Sequence, residues 1–410
     1  MKKRLNRKRP ISRQFEPGAP TPKGTIPLCV PEIRGNEWKY IKECLDTNWV
    51  SSAGPFVGRF EQDVAGYVGT KHGIATCNGT AALHIALLIT GVQPDDEVLV
   101  SVLSFVAPAN TIRYVGAWPV FIDSEPNHWQ MDPEKIVAFL NNECRWKNGA
   151  LYNKATGRRV RAILPVHILG HPVDMDPILE MARKFNLTVI EDATESLGAQ
   201  YKDRMVGHLG DIGCFSFNGN KIITTGGGGM IVTDNRRWAE QAHYLITQAK
   251  EDPVEYIHKE IGYNYRLSSI HAAMGVAQME VLDEYIAAKK GIAQRYDQGL
   301  RTLKGITTRG EAEWAKSISW LYTVLIDEQK FGMSSRDVLH ALASLHIQTR
   351  PLWHPLHTLR PFESCLAYKI EVADSLYRDG LSLPCSVGLT WEDHDRVIQA
   401  LGMIQKRIRS

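Results

Sequence analysis

A lysine followed closely by glycines is the feature of this sequence with the clearest chemical meaning. Lys221 follows a predicted strand, and four consecutive glycines begin five residues after it, at position 226. Glycine allows the backbone to approach a ligand closely because it has no Cβ atom. Lysine is the side chain that forms a Schiff base with an aldehyde cofactor when its surroundings free the amine. Because the glycines come after the lysine, the order differs from that of a P-loop, and ATP hydrolysis is not expected.

Polar residues follow two other predicted strands. Asp192 ends an apolar run and Glu195 comes three residues later. A buried carboxylate there could hold a heteroaromatic nitrogen protonated, although an acid that starts a helix explains the pattern equally well. Gly79 and Thr80 open a predicted helix whose backbone amides could cradle a phosphate, although an ordinary helix cap is the alternative. Ligands bind beyond the carboxyl ends of strands in open parallel sheets, so these positions are the candidate site.

The elements that would position these residues alternate from about Ile26 onward, which is typical of a parallel sheet flanked by helices. The predicted strands are 72–76, 97–102, 118–122, 160–166, 188–191, 212–217 and 229–233. The predicted helices among them are 81–90, 108–114 and 175–185. Further on, we predict a helical stretch over 268–294, a strand over 317–326 and helices over 335–345 and 391–408. The pattern therefore predicts an α/β large domain over residues 25–284, whose first part could pack on a smaller C-terminal α+β domain over 285–410.

Length and composition limit the other possibilities. A chain of 410 residues with 44% hydrophobic residues is an ordinary globular protein with more than one elementary core. Residues 1–24 contain eight basic residues and one acidic residue, which predicts a flexible basic tail; nucleic-acid binding and membrane insertion are not expected. The seven cysteines lack a C-x-x-C pair, so no metal site and no disulfide framework are expected, and a cytoplasmic protein fits best.

The whole arrangement resembles the DegT/StrS family of pyridoxal-phosphate-dependent sugar aminotransferases, which share the aspartate-aminotransferase fold (fold type I). The resemblance runs from about Ile26 to the C-terminus. It is carried by the segments WVSSAGPFVGRFE (49–61), CNGTAAL (77–83), SFVAPAN (104–110), VHILGHPVDMD (166–176), VIEDATESLGA (189–199), GDIGCFSFNGNKIITTGGGGM (210–230) and GYNYRL (262–267). It implies that the cofactor is pyridoxal 5'-phosphate.

The resemblance also implies roles for individual residues. Lys221 would bind the cofactor as an internal aldimine and move the proton in transamination, while Asp192 would pair with the pyridine nitrogen. The further cofactor-binding positions implied are Gly79, Thr80, Phe105, Glu195, Ser216 and Asn264. Asn264 would reach the cofactor phosphate of the neighbouring subunit, so the resemblance implies a homodimer with a shared active site. The substrate-binding positions suggested by the same comparison are Trp49, Ser52, Arg350, Trp353 and His354.

Two positions depart from the family pattern. Glu195 stands where many members have glutamine near the cofactor's phenolic oxygen, so we expect this acid to be protonated, paired or turned away. Gly227 replaces a glutamate that is common in the glycine loop. The lysine itself is present, which argues against the sugar dehydratases that replace it with histidine.

The implied reaction is transfer of an amino group from L-glutamate to carbon 4 of a nucleotide-linked 4-keto-6-deoxy sugar. The motifs look most similar to those of enzymes that act on UDP-2-acetamido-2,6-dideoxy-hexos-4-ulose. The alternatives are a GDP-4-keto-6-deoxymannose 4-aminotransferase of the GDP-perosamine synthase type, or a non-catalytic regulator that binds pyridoxal phosphate.

Overall fold

The computed structural model describes residues 23–252 and 254–409, so the predicted tail lies almost entirely outside the described residues. The α-helices are α1 (Glu37–Asp46), α2 (Pro55–Val68), α3 (Gly79–Ile89), α4 (Ala107–Tyr114), α5 (Pro133–Ala138), α6 (Met175–Phe185), α7 (Arg236–Ile246), α8 (Ser269–Met279), α9 (Leu282–Leu300), α10 (Glu328–Phe331), α11 (Ser335–Ser344), α12 (Val372–Asp379) and α13 (Trp391–Arg409). The strands are β1 (His72–Thr76), β2 (Glu97–Ser101), β3 (Trp118–Ile122), β4 (Cys144–Lys147), β5 (Ala150–Asn153), β6 (Arg159–Leu164), β7 (Thr188–Asp192), β8 (Gln200–Tyr201), β9 (Arg204–Met205), β10 (Ile212–Ser216), β11 (Gly229–Thr233), β12 (Ile306–Thr308), β13 (Ala315–Lys316), β14 (Tyr322–Ile326), β15 (Arg350–Pro351), β16 (Leu366–Tyr368) and β17 (Gly380–Leu383).

A large, mostly parallel sheet forms the centre of the described chain. Its strand order is β1-β11-β10-β7-β6-β2-β3-β16, and the hairpin of β4 and β5 pairs with β6. The strands from β10 to β16 in this order are parallel, whereas β11 runs antiparallel to both β1 and β10. In this arrangement Asp192 of β7 lies opposite Cys214 of β10, so these two strands end side by side.

Alternation along the strands divides the core between the two faces of the sheet. In β2, Val98 and Val100 belong to one buried cluster and Leu99 belongs to the other, as expected when successive side chains point to opposite faces. Helices α3, α4 and α7 supply buried residues to the first cluster, and helices α2, α5, α6 and α8 supply the second. The predicted α/β architecture, with a mostly parallel sheet between two layers of helices, is confirmed.

The C-terminal part contains an antiparallel sheet of order β12-β14-β17-β15. Helices α9, α11 and α13 pack on it around a third buried cluster. Ile26 joins this cluster and bridges to Ile347, while β16 pairs with β3 in the central sheet. Chain segments therefore cross between the two parts in both directions, and the predicted division at residue 285 stays a prediction.

Candidate active site

A cleft of about 260 Å³ opens where β7 and β10 end and α3 begins. The residues that line it include Asn78, Gly79, Thr80, Ser104, Phe105, Asp192, Thr194, Glu195, Ser216, Asn218, Asn220, Lys221, Trp320 and Trp353. The position agrees with the rule that open parallel sheets bind ligands beyond the carboxyl ends of their strands.

Lys221 lies in the turn that follows β10, where its backbone N–H donates to the carbonyl of Asn218 at 3.0 Å. Its ammonium nitrogen lies 3.7 Å from Glu195 Oε1 and 4.2 Å from the centre of the Trp320 ring. The side chain is only 13% exposed. A largely buried amine between a carboxylate and an aromatic face is held in one place while its end stays accessible from the cleft.

Glu195 is a buried acid that faces this amine. Its Oε2 accepts a hydrogen bond of 2.9 Å from the backbone N–H of Leu169. Burial raises the pKa of the Glu195 carboxyl to about 7, although the charge of Lys221 and the bond from Leu169 oppose the rise. The acid that departs from the family pattern is therefore paired with Lys221, and it changes its protonation near neutral pH.

Asp192 and Glu191 are adjacent acids, but only Asp192 faces the cleft. Asp192 is 2% exposed, and its Oδ1 accepts a hydrogen bond of 3.1 Å from the N–H of Thr194. Burial raises the pKa of the Asp192 carboxyl, and the hydrogen bonds from Thr194 and the charge of Lys221 oppose this only in part. A cationic donor placed in the cleft would complete the pairing of this carboxylate.

Glu191 is held by a separate set of hydrogen bonds. Its carboxylate accepts from the backbone N–H groups of Gly207, Leu209 and Gly210 at 2.8, 2.6 and 2.6 Å. It also contacts His167 Nε2 at 3.0 Å, and His167 Nδ1 accepts from the N–H of Val173, so the proton of the ring is on Nε2. Glu191 therefore fixes the loop beside β10 and takes no part in the cleft.

The N-terminus of α3 forms the opposite wall. Asn78 caps this helix, because its side-chain oxygen accepts a hydrogen bond of 2.8 Å from the N–H of Ala81. A Cβ atom at Gly79 would lie 2.8 Å from the Cβ of Ser216, so only glycine allows the helix start to approach β10 this closely. The cap leaves Gly79, Thr80 and Ser216 around one space, and phosphate binding there stays a prediction.

The structure brings together eight of the thirteen positions that the sequence singled out: Gly79, Thr80, Phe105, Asp192, Glu195, Ser216, Lys221 and Trp353. In the described part of this subunit, the other five do not line the cleft: Trp49, Ser52, Asn264, Arg350 and His354. Asn264 is exposed and bridges to Thr247, while His354 contacts the hydroxyl of Thr358 at 2.7 Å. The binding roles of all thirteen stay predictions.

Trp320 is one of the cleft residues that the sequence did not indicate. Its indole N–H donates to the carbonyl of Asn220 at 2.7 Å, which holds the ring against the segment that carries Lys221. No local motif surrounds Trp320, and 99 residues separate it from Lys221 in the chain, so only the fold shows the contact. Asn218 and Asn220 were missed as well, although they lie inside the segment that carries the lysine.

Comparison with known proteins gives consistent matches over almost the whole chain. The model of the DegT/DnrJ/EryC1/StrS aminotransferase family matches residues 31–402. The chain is 42% identical to GDP-perosamine synthase of Caulobacter vibrioides over 382 residues, which cover 92% of this chain and 98% of that protein. It is 36% identical to GDP-perosamine synthase of Escherichia coli O157:H7 over 367 residues, covering 90% and 95%. Among solved structures, the aminotransferase TlmJ from Streptoalloteichus hindustanus superposes with a TM-score of 0.84 at 26% identity, covering 94% of this chain and 100% of that chain.

Proposed function

Because the chain belongs to the DegT/DnrJ/EryC1/StrS aminotransferase family, we propose that it transfers the amino group of L-glutamate to carbon 4 of GDP-4-keto-6-deoxymannose. It is a sugar aminotransferase that depends on pyridoxal phosphate. The nucleotide, the sugar and the donor are the proposed parts. The observation that carries them is the similarity to two GDP-perosamine synthases, one of which is matched over 98% of its length. These relatives support the GDP-sugar alternative better than the UDP-sugar substrate that the motifs favoured.

The residues of the cleft fit the cofactor. Asp192 is a buried carboxylate without a cation in direct contact among the described residues, which is the partner that a protonated pyridine nitrogen requires. Phe105 is a large apolar side chain at the cleft, and 57% of it is exposed. A planar cofactor ring stacked on Phe105 would cover this exposed surface. Gly79, Thr80 and Ser216 would hold the phosphate at the start of α3.

Pyridoxal phosphate supplies an electron sink for the α-carbon of the amino acid when it is bound. The protein's own part in this reaction falls to two groups. Lys221 Nζ would hold the cofactor covalently and, once released, would carry the proton between the substrate and the cofactor. Glu195, whose Oε1 lies 3.7 Å from that nitrogen, would pair with the amine in its charged form and hold it in place.

The proposal includes a homodimer in which Asn264 reaches the site of the neighbouring subunit. Asn264 is exposed and does not line the cleft of its own subunit. Large apolar side chains are exposed in the segment just before it, with Ile261 at 85% and Val254 at 78%. Such a patch is typical of a surface that another chain covers.

The test of the substrate is a direct competition. The full-length chain, loaded with pyridoxal phosphate and supplied with L-glutamate, is offered GDP-4-keto-6-deoxymannose and UDP-2-acetamido-2,6-dideoxy-hexos-4-ulose at equal concentration. We expect 2-oxoglutarate and the GDP-linked amino sugar, identified by mass spectrometry, and no product from the Lys221→Ala variant. Preferential amination of the UDP-linked sugar would overturn the proposed substrate, although not the family.

A further inference from the structure

A buried cluster of two thiols and one amine lies beside Trp320. Lys289 Nζ is 3.7 Å from Cys29 Sγ and 3.6 Å from Cys385 Sγ. Cys385 and Lys289 are almost completely buried, while Cys29 is partly accessible. None of these three residues has a place in the reaction proposed above, and their chemistry therefore needs a separate explanation.

Lys289 carries its charge without a carboxylate. Its ammonium donates to the carbonyls of Trp320 at 2.6 Å and Cys385 at 2.5 Å, and no acid of the described chain forms an ion pair with it. A buried charge needs compensation, and the nearby sulfurs can supply it as thiolate. Burial opposes the charge of Lys289, yet Cys29 and Cys385 raise its pKa overall. The hydrogen bond from Cys385 and the charge of Lys289 hold the pKa of the Cys29 thiol below its usual value despite burial.

The backbone holds the two thiols next to each other. The N–H of Cys385 donates to the carbonyl of Leu28 at 2.8 Å, and the N–H of Val30 donates to the hydroxyl of Ser386 at 3.0 Å. Residues 28–30 and 385–386 are thus fixed side by side, and both sulfurs lie within 3.7 Å of the same Lys289 Nζ. This is the kind of local constraint under which two cysteines can form a disulfide without unfolding.

We propose that Cys29 and Cys385 form an oxidisable dithiol that takes a low-molecular-weight disulfide as its oxidant. The Cys29 thiolate attacks one sulfur of the oxidant and displaces the other as a thiolate. The Cys385 thiol then gives its proton to the released thiolate, and its sulfur attacks Cys29 and displaces the second small thiolate, which takes a proton from water. Counted from two neutral thiols, with the proton that Cys29 gives up on becoming a thiolate, the protein loses two protons and two electrons, and the oxidant is reduced to two thiols.

The dithiol is connected to Lys221 by direct contacts. Cys29 Sγ lies 3.5 Å from the carbonyl of Asn220, which also accepts the indole N–H of Trp320. Lys289 holds the carbonyl of Trp320, and the Trp320 ring lies over the Lys221 amine. Oxidation removes the thiolate that compensates the charge of Lys289. Because Lys289 holds the backbone of Trp320, oxidation should shift the Trp320 ring relative to the Lys221 amine. This consequence rests on the proposed function, whereas the oxidation itself does not.

The experiment measures oxidation without any assay of activity. The full-length chain is incubated in glutathione buffers of increasing oxidised fraction, unfolded, alkylated and mapped by mass spectrometry. We expect the loss of two of the seven alkylatable thiols, a mass lower by two hydrogen atoms, and one cross-linked peptide that joins Cys29 to Cys385. Cys29→Ser and Cys385→Ser should abolish the cross-link, and Cys365→Ser, at a partly buried cysteine outside the cluster, should leave it unchanged.

The result separates the two proposals. The dithiol proposal would be overturned if both cysteines stayed fully alkylatable at every glutathione ratio, even in an active enzyme. It would also be overturned if glutathione stayed on Cys29 and no cross-link formed. A cross-link that forms without changing the borohydride-trapped attachment of pyridoxal phosphate to Lys221 would overturn the link to the cleft. Slower attachment in the oxidised chain, recovered after reduction, is the expected outcome.

Discussion

At the scale of residues, the adjacent acids Asp192 and Glu191 are predicted to have different roles, one in the reaction and one in stabilising the fold. Replacing each acid by its amide should distinguish the two roles. Asp192→Asn keeps an oxygen that can accept the N–H of Thr194 and removes a charge whose burial raises the pKa of Asp192, so at neutral pH we expect a melting temperature no lower than that of the wild type. Loss of the negative charge should slow the half-reaction with glutamate by roughly 10²-fold or more, which single-turnover absorbance measures. Glu191→Gln is the matched control. Its amide oxygen can still accept from Leu209 and Gly210, but its NH2 group would face the N–H of Gly207 and the Nε2–H of His167, so it should cost about 2 kcal/mol of stability. A wild-type half-reaction in Asp192→Asn would contradict the role of that carboxylate.

Glu195 makes a prediction about stability and pH. Its pKa of about 7 in the folded chain exceeds the ordinary value of 4.5, so the folded state binds more protons between these values. The free energy of unfolding therefore falls as the pH rises through this window, and the penalty persists above it. In cofactor-free protein, Glu195→Gln should be more stable than wild type above pH ~7 by up to ~3 kcal/mol and similar near pH ~4. Denaturant titrations at both pH values test this, and equal stabilities at the higher pH would contradict it.

At the scale of elements, the start of α3 should combine a structural and a binding role. Asn78→Ala removes the cap on the N–H of Ala81 and should cost about 1 kcal/mol of stability. Asn235→Ala is the control, because Asn235 caps α7 in the same way with a bond of 3.2 Å to the N–H of Trp238 and does not line the cleft. We expect similar losses of melting temperature but weaker pyridoxal phosphate binding only in Asn78→Ala, as measured by cofactor titration. Equal cofactor affinities would show that the helix start is structural only.

The elements that the sequence predicted well are those determined by local pattern. The strands at 118–122 and 229–233 and the helix at 175–185 have the predicted bounds, because each is an apolar repeat closed by turn residues. The predicted helical stretch 268–294 is two helices, since Val281 leaves the helical conformation between α8 and α9. The strand predicted from 317 begins at Tyr322, because Ser317 and Ile318 are bound to the carbonyl of Gly170.

What the sequence could not predict depends on contacts between distant segments. Strand β16 pairs with β3, and the paired residues Leu366 and Val120 are 246 positions apart in the chain. Nothing in a three-residue strand identifies such a distant partner. The cleft shows the same limit. Residues inside the quoted segments, such as Asp192 and Lys221, were found, whereas Trp320 was not, because its position over Lys221 is created by the packing of the C-terminal part on the sheet.

At the scale of the whole molecule, the proposed active site shared between two subunits makes a prediction that neither subunit alone can satisfy. Lys221→Ala removes the reactive amine, and Asn264→Asp places a negative charge where the phosphate of the neighbouring site would lie, so each variant should be inactive as a homodimer. In a mixed dimer, one site would combine the intact Lys221 of one chain with the intact Asn264 of the other. Random reassociation should therefore restore about one quarter of wild-type turnover.

The exposed position of Asn264 makes this test specific, because the substitution alters no buried contact of its own subunit. The control is a mixture of Lys221→Ala with Asp192→Asn. Both residues line the cleft of one subunit, so a dimer of these two variants contains no intact site and should stay inactive. If Asn264 acted within its own subunit, the mixture of Lys221→Ala with Asn264→Asp would also stay inactive. Every site would then lack either the Lys221 amine or the Asn264 amide. Recovery in the first mixture and none in the second would require the two chains to complete each other's sites.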